Sequence, residues 1–264
     1  MIKTNLHSIL SSSCEIAREA GEFLLSQFGS IHEMSLKGEI DPVTSMDKEA
    51  ESLIVKRINQ AFPDHGILAE EGALVESKGG MTWVVDPIDG TTNFAHGFGV
   101  FCVSMALLQE DQSPVIGITY APVLNEFFSA AKGEGAFLNK KAIRISNQSH
   151  LERAFLTTGV PYTVRENLDY HINLYKKFIQ KSFAVRRPGA ACLDLAYVSC
   201  GKFDGYWESG LKPWDSAAGV LLVQEAGGKT SDYLGEPYKI NESLTIVAAN
   251  SVLLNSMVNL ISHD

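Results

Sequence analysis

The first sixty residues alternate polar and apolar positions at helical spacing. Leu6, Ile9, Leu10, Ile16, Ala17, Ala20, Phe23, Leu24 and Phe28 recur every three or four residues, which predicts a long amphipathic helix stopping near Gly29. "KGEIDPVTSMD" then reads as a polar, mobile loop. Apolar periodicity resumes with Leu53, Ile54, Val55 and Ile58, predicting a second helix from about Met46 to Ala61. Past this point the period changes. "WVVD", "CVSMALLQ", "PVIGITYAP", "EFFSAAKG", "GAFLNKK" and "IRIS" are short apolar or alternating runs broken by turn residues, as expected of a mostly antiparallel sheet ending near residue 146.

Beyond residue 150 strand and helix signals alternate. "AFLTTG", "FAVRR", "FDGYWE", "GKTSD" and "LTIVAAN" read as strands. Helices are expected from about Arg165 to Gln180, over "AACLDLAYVSC", over "DSAAGVLLVQEA" and at the C-terminal end. No repeat or linker divides the chain. The expectation is therefore an α/β (α+β) protein, with one lobe over residues 1–147 and a second over 148–264 sharing a core of helices layered on sheets.

Composition narrows the function classes. A net charge of −9 argues against a basic face for nucleic acid or an anionic membrane. The charged N-terminal stretch is unlike a signal peptide, and apolar runs such as "VFCVSMALL" are about half of a bilayer span. Cys14, Cys102, Cys192 and Cys200 lie far apart with no CxxC pair, so reduced thiols in a cytoplasmic protein are expected.

The chemistry concentrates in "WVVDPIDGTTNF", residues 83–94. Pro87 cannot continue a central ladder, so the strand is expected to end at Asp86. Gly90 permits an unusual turn, after which Thr91 or Thr92 can open a helix with its N–H groups outward. Such a turn offers carboxylates to a hard cation and N–H groups to an anion, a pairing that suits a phosphate held through metal ions. An acidic turn with a helix cap fits the stretch alone equally well. Other acids stand nearby in the pattern. Glu70 and Glu71 follow the apolar "ILA", and Asp215 opens a helix in "KPWDSAAGVLLVQEAGG", where an N-cap role is the simpler reading. Asp47 in "VTSMD" also fits a solvated first-turn acid. No HExxH or CxxC pattern points to zinc.

Taken together and in order, "DPVTSMD", "ILAEEG", "WVVDPIDGTTNF" and "WDSAAGVLLVQEAGG" resemble the inositol monophosphatase family of magnesium-dependent, lithium-sensitive phosphatases. The resemblance runs from about residue 5 to 262, and "RRPGAACLDLAYVSCGKFDGYWESGLKPWD" looks especially like its bacterial inositol-1-monophosphatase branch. It implies a layered αβαβα sandwich and a homodimer. It also implies that Glu70, Asp86 and the carbonyl of Ile88 hold one Mg²⁺. Asp86 would bridge to a second Mg²⁺ shared with Asp89 and Asp215, and Glu70 would help hold a weaker third through water. Thr91, oriented by Asp47, would position and deprotonate the attacking water. The N–H groups of Gly90, Thr91 and Thr92 would hold the phosphate, and Lys37 would lie on a loop closing over the site. Every metal-ligand residue type of the family is present, so the chain does not read as a degenerate member.

For the alcohol, the resemblance assigns Glu208 to the substrate hydroxyls and Gly189, Ala190 and Ala191 to a turn beside the ring. Ala190 replaces the threonine of the family's human-type Gly-Thr-Ala turn and so removes a hydroxyl. The expected reaction is hydrolysis of inositol-1-phosphate or a related polyol phosphate. Fructose-1,6-bisphosphate, histidinol phosphate or 3′-phosphoadenosine 5′-phosphate is the alternative, as is a regulatory binding protein that keeps the fold. Arg186 and Arg187 fit a substrate contact, a dimer contact or a solvated strand end. His96 is expected to be peripheral.

Overall fold

The computed structural model describes residues 2–30, 34–36 and 42–263. Helix α1 (Ile2–Gln27) is followed by strands β1 (Met34–Leu36) and β2 (Pro42–Thr44), which pair antiparallel. Helix α2 (Ser45–Ala61) comes next. An eight-stranded sheet then forms from β3 (Gly66–Ala69), β4 (Leu74–Val75), β5 (Thr82–Asp89), β6 (Cys102–Leu108), β7 (Pro114–Ala121), β8 (Glu126–Ala131), β9 (Gly135–Leu138) and β10 (Lys141–Ala142). Helix α3 (Thr91–Ala95) interrupts it after β5. The order is β10-β9-β8-β7-β6-β5-β3-β4, antiparallel throughout except for β3 beside β5.

A second, five-stranded sheet has the order β12-β11-β13-β15-β14. Its strands are β11 (Phe155–Thr158), β12 (Ala184–Arg186), β13 (Gly205–Ser209), β14 (Lys229–Ser231) and β15 (Thr245–Ala249). The helices between and after them are α4 (Leu168–Lys181), α5 (Ala191–Ser199), α6 (Pro213–Glu225) and α7 (Ser251–Ser262).

Side-chain alternation explains the layering. On β5, Trp83 and Val85 join a core with Ile16, Leu24, Ile54 and Ile58 of α1 and α2, whereas Val84 faces the other way into a core with Leu195 of α5 and Val220 of α6. On β15 the same period sends Ile246 and Ala248 into that inter-sheet core, and Val247 and Ala249 into an outer one with Phe178 of α4 and Met257 of α7. The result is five layers: α1 and α2, the large sheet, α5 and α6, the small sheet, α4 and α7. This is the αβαβα sandwich expected from the resemblance.

Helix α6 fits between the sheets because it is small and apolar on nearly every side. Ser216 through Val223 are all buried. A Cβ placed on Gly117 of β7 would lie 2.7 Å from the carbonyl oxygen of Ala218, so helix and sheet touch backbone to backbone.

Four expectations need correction. Strand β5 does not end at Asp86. It runs to Asp89, with a register shift between Asp86 (opposite Ser104) and Asp89 (opposite Cys102), and this bulge absorbs Pro87. The loop "KGEIDPVTSMD" is not wholly irregular, since Pro42–Thr44 forms β2 and Thr44 caps α2; Lys37 lies outside the described residues. Residues 143–146 form no strand, and Ile145 instead donates its N–H to the carbonyl of Ala226 at the end of α6. The segment predicted as helix from Arg165 opens as a 3-10 turn (Tyr162–Asn167), and α4 proper starts at Leu168. Among the described residues no helix is long and apolar enough to cross a membrane.

Candidate active site

Strands β3 and β5 run parallel with Ala69 opposite Val85, so the next residues, Glu70 and Asp86, emerge side by side. The bulge at Pro87 then turns the chain so that Asp89 returns toward Asp86. Gly90 follows at φ +91°, a left-handed conformation that a side chain disfavours. A Cβ there would also meet the Val100 carbonyl oxygen at 3.0 Å. The turn launches α3, whose leading N–H groups, from Thr91 onward, have no partner within the helix.

Asp47 is not a solvated acid. It is 1% exposed and forms the third residue of a capping box, its Oδ2 accepting from the Thr44 N–H and hydroxyl, each at 2.7 Å. Its Oδ1 lies 2.9 Å from the Thr91 hydroxyl, which is also 3.0 Å from the Ile88 carbonyl oxygen. Glu51, one turn further along α2, accepts from the Glu71 and Ala73 N–H groups and so pins the turn after Glu70.

Asp89 ties the corner to the second sheet's layer. Its carboxylate accepts from the N–H groups of Ala191 at 3.2 Å and Cys192 at 2.7 Å, capping α5 from outside. Asn93, assigned no role from sequence, donates to the carbonyls of Val100 and Pro188 and locks α3 against the Gly189 turn. Asp215 is not the N-cap of α6, a position Lys212 holds; it stands in the helix's first turn, its Oδ2 accepting from the Lys212 N–H at 2.7 Å.

These acids crowd one another. Burial raises the Asp86 carboxyl well above the usual carboxylate range, and the nearby charges of Glu70, Asp89 and Asp215 push it further. Asp89 is raised to about 6, mainly by burial, with the Cys192 N–H opposing. Asp215 is raised by burial, then by Asp89 and Glu70, against the Lys212 N–H. Asp86 Oδ1 is buried with no hydrogen-bond partner. A buried, unpaired carboxylate oxygen among like charges is costly to a protein alone and is what a divalent cation would satisfy. The donor set fits a cation.

Beside this corner lies a cavity of about 140 Å³, walled by Asp89, Asp215, Gly159, Ala190, Asp194 and Glu208 among others. Glu208 is no surface acid. It shares the inward face of β13 with Tyr206, whose hydroxyl donates to it, and burial raises its carboxyl to about 7. The walls close on it so tightly that a Cβ on Gly159 would sit 2.2 Å from both Glu208 oxygens. Asp194, which sequence reasoning passed over, is 1% exposed and accepts from Thr157 at 2.9 Å. Only its place on the buried face of α5 could have marked it.

Arg187 lines the cavity near Asp194 and Glu208, whereas Arg186 stacks over the Phe155 ring at 5.2 Å. His96 is exposed at the end of α3. The structure thus gathers Asp47, Glu70, Asp86, Ile88, Asp89, Gly90, Thr91, Thr92 and Asp215 at one corner, and Gly189, Ala190, Ala191 and Glu208 around the adjoining cavity. All four cysteines are free, as expected; Cys102 by its thiol and Cys192 by its backbone N–H both reach Asp89.

Known proteins resemble this chain over nearly its whole length. The model of the inositol monophosphatase family matches residues 5–263. The chain is 41% identical over 243 residues to an inositol-1-monophosphatase of Caulobacter vibrioides, covering 90% of this chain and 95% of the relative. It is 39% identical over 263 residues to the Nus factor SuhB of Pseudomonas aeruginosa, covering 97% and 96%. Among solved structures, an inositol monophosphatase from Anabaena superposes with a TM-score of 0.88 at 37% identity, over 97% of this chain and 96% of that one.

Proposed function

The chain belongs to the inositol monophosphatase family, and from that premise we propose that it is a Mg²⁺-dependent phosphomonoesterase acting on inositol-1-phosphate and related polyol phosphates. The observation that carries the reading is the meeting of two features. The Asp47–Thr91 hydrogen bond and the unpaired, buried Asp86 oxygen belong to the two ends of one turn, and Asp89 of that same turn lines a cavity walled by Glu208.

In this reading Glu70, Asp86, Asp89, Asp215 and the Ile88 carbonyl hold two ions, with a third shared through Glu70. When bound, such ions neutralise the phosphate, acidify the attacking water and stabilise the leaving alkoxide. The protein supplies the rest. N–H groups of Gly90, Thr91 and Thr92 take phosphate oxygens and fix the ester for in-line attack. The Thr91 hydroxyl, held by Asp47 and the Ile88 carbonyl, orients the water and passes its proton toward Asp47. No covalent intermediate is required. Glu208 and Arg187 read the hydroxyls of the alcohol, while Gly189, Ala190 and Ala191 bring backbone beside its ring.

A homodimer and a cytoplasmic setting belong to the same proposal, through the family resemblance. For any additional role of the kind named in the Pseudomonas relative, the net charge of −9 favours a protein partner over bare nucleic acid.

A phosphate-release panel tests the reading, with inositol-1-phosphate, 2-glycerophosphate, fructose-1,6-bisphosphate, histidinol phosphate and 3′-phosphoadenosine 5′-phosphate as substrates. Mg²⁺-dependent turnover with inositol-1-phosphate preferred is expected. No turnover of any substrate would remove the enzyme reading, and preference for the nucleotide would remove only the inositol assignment.

A further inference from the structure

The chemistry proposed above uses only oxygen ligands, yet two thiols stand at the same carboxylates. Cys192 is the second residue of α5, and Cys102 opens β6; they are 1% and 0% exposed. The Cys102 thiol donates to Asp89 Oδ2 at 3.6 Å. The Cys192 thiol lies 3.3 Å from the Asp215 carbonyl oxygen and 3.4 Å from that of Trp214. One oxygen each of Asp86 and Asp89 and the sulfur of Cys192 all lie within 4.8 Å of one another. Independently, Asp86 Oδ1 is buried and unpaired in the same place.

A hard ion such as Mg²⁺ takes oxygen and keeps its waters, so the thiols offer it nothing. A borderline-soft divalent ion behaves differently. Zinc binds thiolate at about 2.3 Å and carboxylate oxygen at about 2.0–2.2 Å, in small tetrahedral sets. Such a set places its ligand atoms roughly 3.5 Å apart, so the cluster needs only a modest contraction, which carboxylate rotation supplies. Access is through the cavity, which Asp89 and Ala191 both line.

We propose that Cys192, with Asp86 and Asp89, forms a site for a thiophilic divalent cation of the zinc class, overlapping the hard-ion site. Binding forms a metal–sulfur bond and releases the Cys192 thiol proton to solvent. Because the carboxylates are shared, the thiophilic ion and Mg²⁺ exclude one another. On the phosphatase reading, that makes the zinc class inhibitory. The site itself does not depend on turnover.

Cadmium is the probe, because its thiolate complexes absorb in the ultraviolet. The titration is run on the chain carrying Cys14→Ser and Cys200→Ser, which leaves only the buried pair of sulfurs. A saturable charge-transfer band at one equivalent is expected, and excess Mg²⁺ should weaken the apparent affinity by roughly tenfold or more. Adding Cys192→Ala should abolish the band. Cys192→Ser, which keeps a donor for the Trp214 and Asp215 carbonyls, should abolish it equally, with melting curves confirming that both variants fold. A band that survives either Cys192 variant overturns the proposal. So does a band indifferent to Mg²⁺, which would place cadmium on sulfur away from Asp86 and Asp89. Loss of phosphatase activity in every assay would leave the band unaffected, so the two readings fail separately.

Discussion

The metal corner and the cavity wall are built by opposite means. At the corner, residues 86–92 come from one continuous stretch, and a strand bulge, a left-handed glycine and a short helix set their directions locally. Asp47 and Glu70 are added by a capping box and by strand register. The cavity wall has no such nucleus. Gly159 follows β11, Asp194 rides on α5, Glu208 lies on β13 and Arg187 follows β12, and only sheet pairing and layer packing bring them together. A locally built corner suits a constant task such as holding phosphate and cations. A wall assembled from separate elements can change its selectivity without disturbing the corner.

Substitutions at the corner should therefore affect every substrate alike, and those at the wall should discriminate. The largest effect is expected at Asp89. Asp89→Asn should lower kcat about a thousandfold for all phosphate esters, equivalent to roughly 4 kcal/mol. Circular dichroism should show the fold retained, because the amide oxygen can still accept from the Cys192 N–H, and only the longer bond from the Ala191 N–H is lost. Activity within a few-fold of the parent would reduce Asp89 to a cap of α5. Thr91→Ala comes next, with about a hundredfold loss in kcat that Thr91→Ser largely restores, since serine keeps the hydroxyl between Asp47 and Ile88. Equal rates for all three proteins would break the proposed water-orienting role.

At the wall, Gly159→Ala drives a methyl against the Glu208 carboxylate. A rise in KM of about tenfold for polyol phosphates is expected, the scale of one displaced hydrogen bond to a charged group. Steady-state kinetics with a phosphate ester lacking hydroxyls near the phosphate should show little change. A uniform loss across substrates would erase the distinction between corner and wall.

The smallest effect separates the two regions by pH. Asp89 at about 6 and Glu208 at about 7 both exceed their ordinary values of 3.8 and 4.5. A carboxyl whose folded pKa is raised binds its proton more tightly when folded. Its contribution is complete below the unfolded pKa and is lost as pH rises through the folded one. Without divalent ions, the melting temperature should therefore fall by several degrees as pH rises from about 4 to beyond 7. Saturating Mg²⁺ should flatten the part owed to Asp86, Asp89 and Asp215 and leave the part owed to Glu208. Differential scanning fluorimetry across pH, with and without Mg²⁺, reads both.

The same division governed what could be read from sequence. The helices and most strands were legible from their periods, and "WVVDPIDGTTNF" marked residues 86–92 over a short span, whereas the layer order and the roles of Asp47, Glu70 and Asp215 came with the family resemblance. Pro87 misled, because a bulge lets a proline sit inside a strand that pairing alone would end there. Asp194, Asn93 and the meeting of Cys102 with Cys192 were invisible for another reason. Each depends on how α5 and the turn before it dock across the sheets, through contacts between segments far apart in the chain. Arg186 and Arg187 look identical in sequence, yet one stacks on Phe155 and the other lines the cavity.

Helix α6, clasped between the two sheets, has a consequence for how the molecule assembles. Asp215 reaches the corner from a helix whose backbone is seated against Gly117 of the large sheet and whose side chains share a core with the small sheet. The corner therefore depends on closing long loops, an entropic cost that its local turn does not carry. A cation held by Asp86 and Asp215 would join the β5 end to the α6 start, as a rivet between layers. Partial opening of the sandwich would then release the ion, so saturating cation lowers the population of the opened state by mass action.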